Sequence, residues 1–414
     1  MDRRGYLGIL ATLSMGGCLQ FTSPSEGGEQ SPATATQSPG STSSEAGTES
    51  RTATRTQTPD GAPWAFELSA PPETGPVAAD GVVYIASTDR HVYAVDTATA
   101  SETWAYDTGF SNFSSLALAD GRLYVQGREN LVLDASTGDL LASFSTGGPM
   151  DIGANRIYTI SQDADGSGSE RVTAVDRSTL EPVWQSDVTT GYGRELDIAS
   201  TGDTVLYADV SDYVPDSADR GERTKDPRIV ALDAATGEQR WQLDRRISAL
   251  DSPGISLLPL SNGVGVVTLS DGTLLGLSLD TGGIQWERTY SDSGLGNIGT
   301  QPFRFGDHVG VIFGGTLYSI EAESGTERWR AGTDLWTIEG VFPQSLPVVD
   351  DVGYFIARAD GYQVTGIDTD GTVVSRDPLP GGDPAFESDT VAVTDEAFYY
   401  GGEVALRSVS RDST

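Results

Sequence analysis

From residue 61 onward one short pattern returns again and again. An apolar run ends in an acidic residue, a Thr-Gly-like turn follows, and a strand carrying Trp comes next. The clearest copy is Asp80-Gly-Val-Val-Tyr-Ile-Ala-Ser-Thr-Asp-Arg-His-Val-Tyr-Ala-Val-Asp96, followed by Thr99 and Trp104. Ile229-Val-Ala-Leu-Asp233-Ala-Ala-Thr-Gly237 leads to Trp241, and Leu277-Ser-Leu-Asp280-Thr-Gly282 leads to Trp286. Leu317-Tyr-Ser-Ile-Glu321-Ala-Glu-Ser-Gly325 leads to Trp329. Weaker copies end at Asp134 with Gly138, at Asp176 with Trp184, and at Asp368 with Gly371. Anchors at 96, 134, 176, 233, 280, 321 and 368 lie 38 to 57 residues apart. A period near forty, punctuated only by strands and turns, belongs to a radial array of small sheets. Such a unit cannot bury both faces alone, so the units must stack around an axis. The expected fold is all-β, a propeller of four-stranded antiparallel blades over residues 61–414.

Seven copies are anchored, and the ends supply an eighth. Pro63-Trp64-Ala-Phe-Glu-Leu68 reads as a lone Trp strand. Thr390–Val393, Ala397–Tyr400 and Val404–Val409 read as three strands lacking one. Joined, they make a blade from both ends of the chain and leave no open edge between first and last blades. Seven blades is the alternative count. The tryptophans Trp64, Trp104, Trp184, Trp241, Trp286 and Trp329 are read as structural, each ring covering the seam to the next blade. Ala142 and Ser375 stand where two copies would carry the Trp, so those seams are expected to dock less tightly.

The motif Asp-x-x-Thr-Gly-x-x-x-Trp resembles the quinoprotein, or PQQ-like, β-propeller repeat, with Ala100 in the Gly place of the first copy. The resemblance covers roughly residues 61–414. It implies two kinds of relative: quinone-dependent alcohol dehydrogenases, and non-catalytic members such as the eight-bladed lipoprotein of bacterial outer-membrane barrel assembly. The dehydrogenases hold their cofactor with a Trp platform, a calcium ion, an Asp base and often adjacent cysteines. Cys18 is the only cysteine here, so an adjacent pair is ruled out. PQQ and calcium are therefore not expected.

Charge narrows the partners. There are 60 Asp+Glu against 26 Lys+Arg, for a net charge of -34. Such a surface repels a phosphate backbone, so no nucleic-acid partner is expected. Carboxylates spread evenly over a chain whose only lysine is Lys225 suit very high salt, where repulsion is screened within a few ångströms. That composition points to a source like a halophilic archaeon.

The first residues read as an address. Arg3 and Arg4 precede an apolar run from Tyr6 to Met15, then Gly16-Gly17-Cys18. The run is too short to span a bilayer and has signal-peptide form. Arg3-Arg4-Gly-Tyr-Leu7 resembles the twin-arginine export signal, and Gly-Gly-Cys18 resembles a lipobox. The expectation is removal of 1–17, lipid on Cys18, and residence on the outer face of the cell membrane. Residues 18–60 are rich in Ser, Thr, Pro and Gly, too polar to offset ordering entropy, and are read as a disordered stalk.

Other candidates each carry a plain alternative. Asp163-Ala-Asp165-Gly-Ser-Gly-Ser-Glu170 resembles part of a calcium loop but equally a polar hairpin. Ser211–Arg228 is the longest insertion, either a binding loop or a loose excursion. His91 and His308 are the only histidines and suggest neither a shared metal site nor a Ser-His-Asp arrangement. Asn112-Phe-Ser114 is an N-glycosylation sequon. No catalytic, cofactor-binding or metal residue is assigned. The leading expectation is a monomeric, non-catalytic cell-surface lipoprotein that binds an envelope protein or ligand. A propeller enzyme and an envelope assembly factor are the alternatives.

Overall fold

The computed structural model describes residues 63–411, apart from 145–147, 163–169, 191–196, 214–223, 245–254, 270–271, 291–300, 314–315, 332–346, 359–360 and 380–390. Among the described residues there are 32 strands and no helix. They form eight separate four-stranded antiparallel sheets, the blades of an eight-bladed propeller.

Seven blades use four consecutive strands. Blade 1 is typical, with Val77–Ala79, Val82–Ala86, His91–Asp96 and Ser101–Asp107. The first strand of each blade lies innermost. These first strands touch from blade to blade, while fourth strands form the rim. Blade 8 closes the ring as the sequence implied. Ala65–Glu67 pairs with Ala405–Ser410, so Phe66 faces Leu406 across the junction. Backbone bonds from Leu68 to Val404 and from Ser408 to Trp64 extend that pairing at both ends.

The core confirms the count. It divides into eight hydrophobic clusters, and each cluster joins two neighbouring blades. Tyr84 and Trp104 of blade 1 pack with Leu116 and Leu133 of blade 2, for example. Middle strands are apolar throughout because both sheet faces meet a neighbour. Val83, Ile85, Val92 and Val95 are fully buried. The seam is thus the unit of stability, and the repeat motif builds it.

Each repeat turn closes on itself and also receives the preceding blade. In blade 4 the Asp233 carboxylate accepts the backbone N–H groups of Ala235 and Thr236 at 2.9 and 3.0 Å. The next residue, Ala234, offers its carbonyl to the indole N–H of Trp184 at 3.1 Å. Trp64, Trp104, Trp241, Trp286 and Trp329 donate in the same way to Thr97, Ala135, Leu279, Ala322 and Thr369. Gly237 has φ +77 and lies beneath the Trp184 ring; a methyl there would sit 2.5 Å from it. Two demands, a left-handed backbone and no room for Cβ, select glycine at once.

This pattern corrects one anchor. In blade 5 the residue four before Gly282 is Ser278, whose carbonyl accepts the Gly282 N–H as the Asp233 carbonyl accepts Gly237. Asp280 sits two residues further on and is not the structural equivalent of the other anchors. The hydroxyl of Ser278 accepts the Thr281 N–H in the carboxylate's stead.

The seams lacking Trp are not simply looser. Between blades 2 and 3, Arg122 reaches across from the second strand of blade 2 and donates to the carbonyls of Arg177 and Ser178. Arg177 is the residue after Asp176, so its carbonyl is the acceptor that an indole shares elsewhere; Arg156 makes the same reach to Ala234 and Ala235 beside Trp184, and here the guanidinium acts alone. Ala142 leaves space where the ring would lie, and Leu180 occupies it. Leu180 holds the position of the repeat glycine and has φ +62, uncommon for a branched residue. Between blades 7 and 8 the reason is topological. Blade 8 has no turn joining its third and fourth strands, because the chain ends interrupt it there, and so no repeat carbonyl awaits an indole. Arg411 covers that seam instead. Its guanidinium lies 5.2 Å from the Tyr354 ring centre and donates to the Tyr354 hydroxyl at 2.6 Å.

The Ala142–Leu180 exchange is testable. Ala142→Trp alone should destabilise by about 1–3 kcal/mol through overpacking against Leu180. Adding Leu180→Gly should restore at least about 1 kcal/mol, read as a coupling energy in a double-mutant cycle of denaturant unfolding. Additive effects would show that the two side chains do not share that space.

Candidate functional site

The antiparallel blades give the ring two unlike ends. One end holds the turns between first and second strands and between third and fourth strands; it is called the turn face here. Its loops are short and internally bonded. Ser178 donates from its hydroxyl to Asp176 at 2.6 Å, and the backbone N–H groups of Ser178 and Thr179 add two bonds. These bonds hold the Asp176 carboxyl down to about 2, with the Ser178 hydroxyl the leading cause. Asp134 is lowered for the same reason, and the Arg240 guanidinium lowers Asp203 and Asp233. The turn face therefore stays negatively charged across the neutral range.

The other end, the connector face, carries the links between blades. Their lengths vary, with 13 residues between Thr289 and Phe303, 13 between Pro378 and Ala392, and 16 between Ala331 and Val348. The hairpin of blade 4 extends toward this end too. Within Ser211–Arg228, read as a binding loop or loose excursion, the described residues 211–213 and 224–228 continue two strands, with Tyr213 paired to Thr224. Asn112 lies in the described connector between blades 1 and 2, exposed and at φ +81. Its N–H donates to Glu73 at 3.0 Å. Ser114 of the same sequon falls within the strand Phe113–Ala119, at a register shift.

The axis is lined by the first strands, where two carboxylates stitch blades together, and two amides on the middle strands of blade 2 add a third link. Asp151 of blade 3 is 3% exposed and accepts the Ser200 hydroxyl of blade 4. Burial pushes its carboxyl up to about 6 despite bonds from Ser200 and Ile152. Asp197 of blade 4 accepts the Leu257 N–H of blade 5 at 2.7 Å. Asn130 and Gln126 of blade 2 both donate to the Gly148 carbonyl ahead of blade 3. One cation stands on the same wall. Arg304 is the middle residue of the inner strand Phe303–Phe305 of blade 6, exposed at the axis. Its guanidinium makes one long bond, 3.4 Å, to the Pro259 carbonyl of blade 5.

The two histidines are far apart in function as well as sequence. His91 opens the third strand of blade 1, with Nδ1 3.0 Å from the Asp89 carbonyl; the Asp89 carboxylate accepts the Tyr93 hydroxyl at 2.5 Å. His308 lies between Asp307, 3.1 Å from Nε2, and Ser319, 3.3 Å from Nδ1. Serine, histidine and carboxylate do meet here, which sequence reading did not anticipate. Ser319 is completely buried, so no substrate can reach its hydroxyl. The contact fastens a strand; it is not a nucleophilic site.

Among the described residues no group of three or more His, Cys, Asp or Glu side chains is arranged to hold a metal. Every described tryptophan lies in an outer strand with its indole N–H bonded at a seam, so none is free to form a ring platform on the axis. The described residues do not fit a quinone site. Arg3, Arg4, Cys18 and residues 163–169 lie outside the described residues.

Asp151, Asp197 and Arg304 are the residues the sequence reading passed over. A signal existed for Arg304. The residues in the same register of other inner strands, Ala78, Leu118, Ile152, Ser200 and Val348, carry no charge, and a charge in such a place marks an exception.

Comparison with known proteins agrees with this architecture. The computationally designed Ika8 protein superposes with a TM-score of 0.58 at 17% identity, covering 83% of this chain and 98% of the other. BamB from Moraxella catarrhalis gives 0.53 at 16% identity, covering 85% of this chain and 97% of that one. The quinohemoprotein alcohol dehydrogenase from Comamonas testosteroni gives 0.53 at 14% identity, over 83% and 75%. These likenesses establish the fold. No curated protein matches the chain. The family described as outer membrane protein assembly factor BamB matches residues 49–150 and 168–335. With both the repeat and the ring in agreement, the chain belongs to that PQQ-like propeller family.

Proposed function

We propose that this protein is a non-catalytic, lipid-anchored propeller that presents its connector face to a protein or ligand of the cell envelope. The observation that carries the reading is the unlikeness of the two faces. The turn face is spent on the ring itself: its Asp carboxylates bond their own turns, and its carbonyls take the Trp and Arg donors of the seams. The connectors vary in length from blade to blade, as recognition loops on a rigid scaffold do.

Chain direction supports the same orientation. The strand Ala65–Glu67 is the fourth of its blade and so starts at the turn face. A stalk of residues 18–62 would join there, placing the turn face toward the membrane. As a flexible coil it would span on the order of 35 Å. The connector face would then point outward.

Lipid on Cys18, export through the signal at Arg3 and Arg4, a cell-surface location, a monomeric state and use of the Asn112 sequon all belong to this proposal. The family description names an assembly factor for an outer membrane, which supports an envelope partner. The enzymatic alternative loses support because the seam tryptophans are already committed and the chain has one cysteine.

Membrane fractionation and cross-linked capture in high salt test the reading. The wild-type protein should remain with membranes and recover the same envelope partner in repeated captures, whereas Cys18→Ala should appear in the medium. Unchanged membrane association of Cys18→Ala would overturn the anchor. A dye-linked dehydrogenase activity on adding PQQ and calcium would overturn the non-catalytic reading.

A further inference from the structure

Among the described residues, the inner wall holds a positive charge with no acid bonded to it. Acidic residues outnumber basic ones by 60 to 26 in this chain. Most of the other described arginines are well engaged. Arg177 meets Asp120, Arg240 meets Asp203 and Asp233, Arg328 meets Glu321, and Arg122 meets two carbonyls. Arg304 has only the 3.4 Å contact with Pro259, and no described carboxylate bonds to it.

Its position makes that unusual. Arg304 alternates with Phe303 and Phe305, which turn away into the seam with blade 7. The guanidinium is left on the opposite side of the strand, toward Leu258 and Pro259 of blade 5. Burial in the ring wall holds it below the usual arginine value, and no carboxylate offsets that effect. Elsewhere on the wall neighbouring blades are tied by full-strength bonds, Asp151 to Ser200 and Asp197 to Leu257. At the blade 5–6 step the described wall contact of Arg304 is this stretched one.

A guanidinium partly withdrawn from water and short of acceptors gains most from a ligand that brings a paired set of oxygens. Its planar fork matches a carboxylate or phosphate group with two parallel bonds. Water still reaches Arg304, so such a ligand can enter from the axis. Among the described residues, Leu257, Leu258 and Pro259 of the blade 5 inner strand beside it are apolar.

We propose that the axial wall between blades 5 and 6 is a binding site for a small oxyanion, a carboxylate- or phosphate-bearing molecule held by Arg304. The site does not depend on the anchoring or partner reading above. It would be a ligand position inside the ring, separate from the connector face.

Calorimetric titration of the full chain with inorganic phosphate and, separately, with succinate tests it at one fixed KCl concentration. One or both ions should bind, and Arg304→Gln should weaken that binding at least tenfold. Tighter phosphate binding would assign a phosphoryl ligand, and tighter succinate binding a carboxylate. Arg304→Lys keeps the charge and guards against a folding defect; it should bind several-fold more weakly than wild type through loss of the paired geometry. Arg376→Gln, on an exposed rim strand, should bind as wild type does. Absence of binding by either ion, or equal affinity in Arg304→Gln, would overturn the proposal.

Discussion

Trp286→Ala should be among the most damaging single changes in this protein, lowering its unfolding free energy by about 3–5 kcal/mol. The ring is 7% exposed and fills the seam between blades 5 and 6 beside Val266, Val311 and Ala322. It lies over Gly325, where a methyl would come within 2.5 Å, so the contact is tight and nothing nearby can collapse into the space. The Ala322 carbonyl would also lose the indole donor now at 2.7 Å. Trp286→Phe keeps one aromatic ring and loses the rest of the indole with its N–H, so its cost should be smaller, about 1–3 kcal/mol. Denaturant unfolding followed by tryptophan fluorescence and far-UV circular dichroism measures both. A loss under about 1 kcal/mol for Trp286→Ala would mean that seams do not carry the stability of the ring. A cost for Trp286→Phe equal to that for Ala would mean that the retained phenyl ring contributes nothing to the seam.

This dependence on seams explains which parts of the structure could be read from sequence. The Asp-x-x-Thr-Gly-x-x-x-Trp motif makes one contact many times. Each copy brings its own turn, glycine and ring, so local spacing was enough to count blades and to foresee the closure of Trp64 with the last three strands. Contacts that depart from the motif left less trace. Arg122 and Arg156 open the second strands of blades 2 and 3 and reach carbonyls 55 and 78 positions away, and Leu180 fills the gap at a position whose repeat role is glycine. Asp280 looked like an anchor because it precedes Thr-Gly, yet the turn is set by the residue whose carbonyl accepts the glycine N–H, and that is Ser278. The functional layer is harder still to see. Asp151 and Arg304 gain meaning only when the inner strands are brought around an axis, since Ser200 and Pro259 lie 49 and 45 positions from them.

Asp151→Asn should stabilise the protein at pH 7–8 by as much as about 3 kcal/mol, and the gain should vanish in acid. Burial pushes the Asp151 carboxyl from its ordinary 3.8 to about 6. The native state therefore binds a proton more readily than the unfolded chain, and between about pH 4 and 6 it holds more protons. Stability must fall as pH rises through that window, because the unfolded state ionises first. Above it the full penalty of a buried charge is present, two pKa units or about 3 kcal/mol. Asparagine still offers an oxygen to the Ser200 hydroxyl and carries no charge to desolvate. The comparison is best made as the difference between wild type and variant at each pH, which cancels the repulsion among the chain's many other carboxylates. A difference near zero at pH 4 that grows to its maximum by pH 7 is the expected profile. A variant less stable than wild type at pH 8 would show that the charge itself, bonded by Ser200 and Ile152, holds blades 3 and 4 together at the axis. Asp151→Asn removes one of two wall carboxylates and keeps Asp197, so negative charge near the axis falls and the same variant should bind small oxyanions at Arg304 at least as well as wild type.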